Sequence, residues 1–160
     1  MGLLPRRRDP AVRAEPPGVL SRIAHHDGCF GCGQANLFGI QLELDLADDG
    51  SASGRFFVKQ DHQGPPGYAH GGILATALDE AMALAVHATG ELALTQRLDV
   101  ALRAPAPVGV FVELSARVVE RAGRRVSASA EARADGTLVA EARGSFAILD
   151  PSRHPSAGAR

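Results

Sequence analysis

The chain has 160 residues, enough for one domain with a hydrophobic core. Its 17 Lys and Arg and 18 Asp and Glu residues give a formal net charge of -1, and aromatic residues make up only 4%. Nucleic-acid-binding proteins usually carry a basic excess and stacking surfaces, so we expect no nucleic-acid partner. Two cysteines cannot form the disulfide framework of a small secreted protein, and we therefore expect a cytoplasmic location.

The two ends of the chain are rich in Pro, Gly, Ser or Arg and poor in apolar residues, which is typical of disordered tails. We expect tails at residues 1–20 and 151–160 and a single domain over residues 21–150. No segment approaches the roughly 20 consecutive apolar residues of a membrane span, and the N-terminal segment lacks the apolar core of a signal peptide. The sequence therefore predicts no membrane partner.

The predicted elements begin with a hairpin. Apolar and polar residues alternate over 42–46, and after the turn at 48–50 a second strand is expected over 51–58. A helix is predicted over 72–87, because this apolar run is rich in Ala, Leu and other good helix formers. Alternation then returns in four segments, at residues 98–102, 112–118, 126–133 and 138–149.

Strands joined by hairpins around one helix predict an α+β domain with an antiparallel sheet. The helix is apolar on nearly every side, so we expect it to be buried. The inward residues of the last two strands are small, which lets a helix lie close against them: Ala128, Ala130, Ala132, Ala140, Ala142 and Gly144. The pattern therefore indicates a curved sheet wrapped around one long central helix.

The segment from Pro66 into this helix contains the candidate chemistry. A helix N-terminus has backbone N–H groups without partners and a partial positive charge. Gly71 and Gly72 have no side chains to keep a ligand from this backbone, so it could hold an oxyanion. Asp79 lies two turns further into the apolar helix, where burial would suit a carboxylate to act as a general base. A tight turn and a solvated acidic pair are the alternative interpretations.

The segment His70-Gly71-Gly72, followed by Asp79, resembles the active-site motif of hotdog-fold acyl-CoA thioesterases of the PaaI-like group. The resemblance extends over residues 28–149. It includes the opening Cys29-Phe30-Gly31-Cys32-Gly33, the loop Pro66-Gly67-Tyr68-Ala69, Thr95, and the strand ending Arg103-Ala104-Pro105. This resemblance implies the hotdog fold and hydrolysis of an acyl-CoA thioester to a free acid and CoA.

The resemblance also implies roles for single residues. Asp79 would be the general base or the nucleophile, with Glu80 as the fallback acid, and the Gly71 N–H would hold the thioester oxygen. His70 would support the loop, and Thr95 would orient the attacking water. A homodimer is implied, or a homotetramer built as a dimer of dimers, in which the Gly71 loop of one subunit faces Asp79 and Thr95 of the other. No cofactor is expected, since CoA is part of the substrate.

CoA carries phosphates, so cationic side chains should line its path. Arg124 and Arg125 are the first candidates, Arg103 and Arg121 are weaker ones, and a solvated charged surface is the alternative for each. Gly72 and Met82 complete the predicted substrate site, with Met82 in the wall of the acyl pocket.

Two further motifs suggest other chemistry. Cys29 and Cys32 with His25 and His26 could bind zinc, but four ligands within eight residues would be crowded and the second half of a zinc motif is missing. We therefore expect no metal and a structural role for this loop.

His62 and Glu80 follow the order of the His and acid pair in hotdog dehydratases. The loop at 62–65 reads His-Gln-Gly-Pro, however, and departs from the His-Phe-Pro-Gly of that group. An enoyl thioester dehydratase or hydratase is the alternative enzyme, and a non-catalytic acyl-CoA-binding protein is the alternative of another class.

Overall fold

The computed structural model describes residues 21–23, 25–150 and 152. The predicted tails lie outside the described residues, apart from Ser152. Within the described part, seven strands, one α-helix (α1) and a short 3-10 helix follow in chain order: β1 Ser21–Ile23, β2 Glu43–Leu46, β3 Ala52–Phe57, 3-10 Gln60–His62, α1 Gly71–His87, β4 Ala93–Leu102, β5 Phe111–Ala122, β6 Arg125–Ala134 and β7 Thr137–Ile148. The predicted helix and strands are confirmed, and β1 is an addition that no alternation in the sequence signals.

All neighbouring strands pair antiparallel in one sheet with the order β1-β2-β3-β5-β6-β7-β4. Strand β4 follows α1 in the chain but lies beside the last strand, β7. It therefore forms an edge of the described sheet. Helix α1 contacts β2 to β7, so the sheet curves around it as the sequence predicted.

Turn residues account for the hairpins. Asp135 and Gly136 both have positive φ angles, 48° and 78°, as a two-residue type I′ turn requires. This turn joins β6 to β7, while Gly123, with φ 58°, lies in the turn between β5 and β6. These two tight connections keep three long strands adjacent to each other.

Small residues let the helix approach the sheet. The six inward Ala and Gly positions predicted on β6 and β7 are all buried. A Cβ added to Gly144 would lie 3.2 Å from Met82 Cε on α1 and 2.9 Å from the Phe146 ring. The helix is correspondingly buried along most of its surface, with Leu78, Met82, Leu84 and Val86 fully enclosed.

Candidate active site

The N-terminus of α1 is capped by its own preceding residue. His70 Nδ1 accepts a hydrogen bond from the Gly72 N–H at 2.9 Å, so Nδ1 is the unprotonated ring nitrogen. The Gly71 N–H has no hydrogen-bond partner among the described residues. The two glycines therefore differ: the Gly72 N–H is already engaged by His70, and only the Gly71 N–H remains available to a ligand.

Backbone hydrogen bonds to neighbouring segments hold the loop that precedes the helix. The His70 N–H donates to the His62 carbonyl oxygen at 2.8 Å, and the Ala69 N–H donates to the Ala106 oxygen at the same distance. A Cβ on Gly64 would lie 2.9 Å from His70 Cα, so the loop is closely packed at this point. These contacts fix the direction of the free Gly71 N–H.

Asp79 lies two turns further along α1 and meets strand β4. The Thr95 hydroxyl donates a hydrogen bond to Asp79 Oδ1 at 2.8 Å. Asp79 is half-buried and Thr95 is exposed, so solvent reaches this hydrogen-bonded pair. The structure thus brings together the two residues that the sequence proposed for activation of water.

A β-bulge makes this contact possible. Pairing with β7 shifts between Thr95 and Arg97, which leaves Gln96 as an extra residue in β4. Beyond the bulge, Leu98 and Val100 pack against the core. In a regular strand an odd-numbered Thr95 would point to the opposite face from these two residues. The extra residue turns Thr95 to the helix side as well.

Burial raises the pKa of Asp79 above its ordinary value. The hydrogen bond from Thr95 opposes this shift, the negative charge of Glu80 adds to it, and the positive charge of His25 opposes it weakly. A carboxylate with a raised pKa is a better proton acceptor while still ionised near neutral pH.

Gly71 and Asp79 of one chain lie too far apart to act on one carbonyl group. Eight residues of α-helix correspond to about 12 Å along the axis. An oxyanion donor and an attacking water must both lie within about 3 Å of the reacting group. The Gly71 N–H and the Asp79 carboxylate of the same chain therefore cannot act together on one carbonyl group.

Glu80 lies on a different side of the helix from Asp79. Its Oε1 contacts His25 Nδ1 at 2.9 Å and Cys29 Sγ at 3.5 Å. The hydrogen bond with Glu80 raises the pKa of His25 to about 9, although burial opposes it. Burial alone would raise the pKa of Glu80, but hydrogen bonds from His25 and the cysteine thiols outweigh it and lower that pKa.

His62 does not form the pair expected of a dehydratase. Its side chain is 3% exposed, its Nδ1 accepts a hydrogen bond from the Lys59 N–H, and its ring lies against Phe56. Burial, together with the charge of Lys59, lowers its pKa. Glu80 contacts His25 instead, so this structure offers no His62 and Glu80 pair.

The predicted arginines have different surroundings. The Arg124 guanidinium donates to the Ile148 carbonyl oxygen at 2.9 Å. Arg124 also lines a shallow groove with Arg125 and with Gln96, the residue that follows Thr95 in the chain. Arg103 forms an ion pair with Glu141 instead, and Arg121 pairs with Glu91.

Met82 is fully buried in the core against Gly144. In the single chain it packs between the helix and the sheet. Its assignment to the acyl pocket stays a prediction.

Comparisons with known proteins agree with this architecture. A family model described as the thioesterase superfamily matches residues 66–141, which include Gly71, Asp79 and Thr95. A structure of a mutant of the phenylacetic acid degradation protein PaaI from Thermus thermophilus is 32% identical, with a TM-score of 0.62, over 68% of this chain and 93% of that chain. The chain belongs to the thioesterase superfamily. This match confirms the hotdog fold and the resemblance to the PaaI-like group.

Among curated relatives of this thioesterase-superfamily chain is the acyl-coenzyme A thioesterase THEM4. The Xenopus laevis protein is 37% identical over 56% of this chain and 41% of the relative, and the Bos taurus protein is 33% identical over 57% and 38%. The chain thus spans about two fifths of these relatives. None of its described helices is long and apolar enough to cross a membrane.

Sequence reasoning missed the cluster around Glu80. It treated Glu80 as a substitute for Asp79 or as the acid of a dehydratase pair with His62, and it considered zinc ligands only within residues 25–32. The available signal was a second acid in an apolar helix, because a buried carboxylate requires a partner. Which partner it finds depends on how the N-terminal loop crosses the helix, and no local pattern contains that information.

Proposed function

We propose that this protein is an acyl-CoA thioesterase that hydrolyses an acyl-CoA thioester to a free acid and CoA. The observation that carries the proposal is the hydrogen-bonded Asp79 and Thr95 pair, together with the unpaired Gly71 N–H at the helix N-terminus. The relatives named acyl-coenzyme A thioesterase support this choice. The reaction needs no separate cofactor, since CoA is part of the substrate.

Asp79 acts as the general base in this proposal. The Thr95 hydroxyl donates a hydrogen bond to Asp79, so the hydroxyl oxygen can accept a hydrogen bond from a water molecule beside the carboxylate. The carboxylate takes a proton from this water as the water oxygen attacks the thioester carbonyl carbon. When the tetrahedral intermediate collapses, the carbon–sulfur bond breaks, and the CoA thiolate takes up the proton that Asp79 removed from water, which returns Asp79 to its ionised form.

The Gly71 N–H stabilises the negative oxygen of that intermediate. It lies at the positive end of the α1 dipole, and the cap on the Gly72 N–H leaves it as the free donor. His70 therefore contributes as a positioning residue that holds this turn. In this proposal, Gly72 keeps the turn open, since a Cβ there would lie 3.0 Å from His70 Nδ1.

A homodimer completes each site. Strand β4 is an edge of the sheet that the described residues form, and such edges, with backbone groups open to pairing, accept another strand. Leu102 ends β4 and lies against Gly71, whereas Thr95 lies near the other end. A two-fold axis at the middle of β4 would set the Thr95 end of one chain opposite the Leu102 end of its partner. The Gly71 loop of one subunit would then reach Asp79 of the other.

Arg124 and Arg125 are the proposed contacts of the CoA phosphates. Both side chains are exposed and line a groove with Gln96, the bulge residue that follows Thr95. The ion pair with Glu141 makes Arg103 a weaker candidate. A cytoplasmic location is also proposed, because Cys29 and Cys32 are free thiols.

The direct test is CoA release from a panel of short, medium, long-chain and aromatic acyl-CoAs, measured with a thiol-reactive dye. We expect turnover of at least one class by the wild-type protein. Absence of thiol release with every substrate, while calorimetry detects CoA ester binding, would identify a non-catalytic binding protein. Absorbance change of an enoyl-CoA without thiol release would identify a dehydratase or hydratase.

A single turnover in H₂¹⁸O distinguishes the two roles of Asp79. With Asp79 as the base, the label enters the released acid directly and the protein stays unlabelled. If Asp79 instead attacked the thioester carbonyl, a mixed anhydride would form, and water that opened it at the Asp79 carbonyl carbon would place ¹⁸O in the peptide that contains Asp79.

Subunit mixing tests the shared site. An Asp79→Asn subunit still offers the Gly71 N–H, and a Gly71→Pro subunit still offers Asp79. Random exchange of the two variants should restore about a quarter of wild-type activity, because half of the dimers are mixed and each mixed dimer has one complete site of two. A protein with both changes in every subunit should show no recovery of activity. Failure of the mixed sample to regain activity would contradict the shared site.

A further inference from the structure

The loop before β2 brings a second group of reactive side chains onto α1. His25 Nδ1 lies 2.9 Å from Glu80 Oε1, and Cys29 Sγ lies 3.5 Å from the same oxygen. Cys32 Sγ lies 3.9 Å from His25 Nδ1. The four ligand atoms all lie within 4.8 Å of one another, so two sulfurs, one nitrogen and one oxygen converge.

These separations fit a tetrahedral zinc ion. Zinc binds sulfur at about 2.3 Å and nitrogen or oxygen at about 2.0–2.1 Å, which puts neighbouring ligand atoms roughly 3.3–3.8 Å apart. The widest pair of the cluster, at up to 4.8 Å, needs to close by about 1.0–1.5 Å. His25 and Cys29 are partly exposed and can make this adjustment by side-chain rotation. Two thiolates also disfavour the hard ions Mg²⁺ and Ca²⁺.

The backbone holds the two cysteines around Glu80. Cys29 and Cys32 have the two-residue spacing of a zinc-binding turn, and the Gly33 N–H closes this turn on the Cys29 oxygen at 3.0 Å. A Cβ on Gly31 would collide with the Glu80 side chain. Only glycine therefore lets the loop lie this close to the helix carboxylate.

Burial indicates a structural site rather than a catalytic one. Cys32 is 1% exposed, and the side chains of Glu80 and His25 are 12% and 24% exposed. Four protein ligands fill a tetrahedral shell and leave no position for a substrate. A metal here would join the N-terminal loop to α1 one residue beyond Asp79.

We propose that His25, Cys29, Cys32 and Glu80 bind one Zn²⁺ per chain. Binding releases the two thiol protons and the proton shared by His25 and Glu80, since zinc takes thiolates, a neutral imidazole and a carboxylate. From the sequence we expected no metal, because the fourth candidate ligand there was His26, which would crowd the site. His26 is exposed and accepts a hydrogen bond from the Gly28 N–H, and Glu80 on the helix takes that place.

The first experiment measures metal in the full-length protein, purified with reductant and without a chelator. We expect about one zinc per chain by mass spectrometry of the metal, and stoichiometric Co²⁺ uptake with thiolate-to-cobalt charge-transfer absorption in the stripped protein. Binding of less than about a tenth of an equivalent of either ion to the folded, reduced wild-type protein would overturn the proposal. A Cys29–Cys32 disulfide that persists under reductant also overturns it.

Variants then assign the ligands. Cys29→Ser and Glu80→Gln should each weaken zinc binding more than about tenfold, measured by competition with a chromophoric chelator. His26→Ala is the matched control and should keep wild-type affinity. Unchanged affinity in Cys29→Ser, or loss confined to His26→Ala, overturns the assignment. The wild-type cobalt spectrum decides the matter should Glu80→Gln fail to fold.

This proposal does not depend on the thioesterase reaction. Asp79→Asn removes the proposed base and leaves all four metal ligands, so we expect it to bind zinc like the wild-type protein. Zinc with no thioester hydrolysis would contradict only the proposed function. Hydrolysis without zinc would contradict only the metal site.

Discussion

Asp79 and Glu80 are consecutive carboxylates on one buried helix, but their surroundings differ in almost every respect. Asp79 faces the edge strand, receives one hydrogen bond from Thr95, and has a raised pKa because of burial. Glu80 faces the N-terminal loop and contacts His25 and Cys29, and these partners lower its pKa in spite of burial.

This difference follows from helix geometry. Successive residues are about 100° apart around an α-helix, so two neighbouring side chains meet different elements of the fold. Asp79 receives one hydrogen bond from an exposed residue, whereas Glu80 has several nearby donors that hold it in place. We propose that Asp79 serves the reaction and Glu80 the structure, and the following substitutions test that division.

The largest effect is expected from Asp79→Asn. Removal of the base should lower kcat by about 100- to 10,000-fold, the usual contribution of general acid–base catalysis. CoA release measures the loss, and size-exclusion chromatography and circular dichroism check the fold. Activity close to wild type in a folded Asp79→Asn protein would show that this carboxylate is not the base.

Gly71→Pro removes the free N–H at the first helical position, which tolerates proline. His70 already has the extended backbone that precedes proline, with φ -64° and ψ 136°. We expect kcat to fall about 100- to 1,000-fold relative to Gly71→Ala, as for one lost oxyanion donor. Gly71→Ala is the matched control, since it adds the same contact with Leu102 but keeps the N–H. Equal rates in the two variants would argue against an oxyanion role.

Glu80→Gln should act mainly on stability. The amide keeps the shape of the side chain but loses the charge-assisted hydrogen bond to the largely buried His25, at a cost of about 1–3 kcal/mol in the free energy of unfolding. Urea unfolding of chelator-treated protein measures the change. The exposed pair Arg97 and Asp99 gives a reference, because Asp99→Asn should change stability far less. A similar loss in both variants would remove the distinction.

Thr95→Val is expected to have the smallest effect, a roughly tenfold lower kcat from the loss of one hydrogen bond to a charged group. Asp79 must be ionised to act, so the rate rises with pH through its pKa. The Thr95 hydrogen bond lowers that pKa. Its loss raises the pKa, and the rising limb of the pH–rate profile should move to higher pH. A profile that stays in place would mean that Thr95 does not act through Asp79.

Much of the fold could be predicted because its signals are local. Alternation marked the strands after the helix, Asp135-Gly136 marked a hairpin, and the Ala-rich inward faces indicated a closely packed helix. Strand β1 gave no such signal, because its three residues are too few for a period. The bulge at Gln96 was also missed, since it depends on pairing with β7 and not on any feature of β4 alone.

By itself, the sequence determined the elements, the buried helix and the position of a glycine-rich helix start ahead of Asp79, because periodicity and turn chemistry depend on residues a few positions apart. Tertiary structure alone decided which partners the two carboxylates meet. Thr95 reaches Asp79 across 16 positions with the help of the bulge, and His25 reaches Glu80 across 55 positions. Contacts over such separations arise from the packing of whole elements. The same packing adds Glu80 to His25, Cys29 and Cys32 and so completes a cluster of four possible ligands.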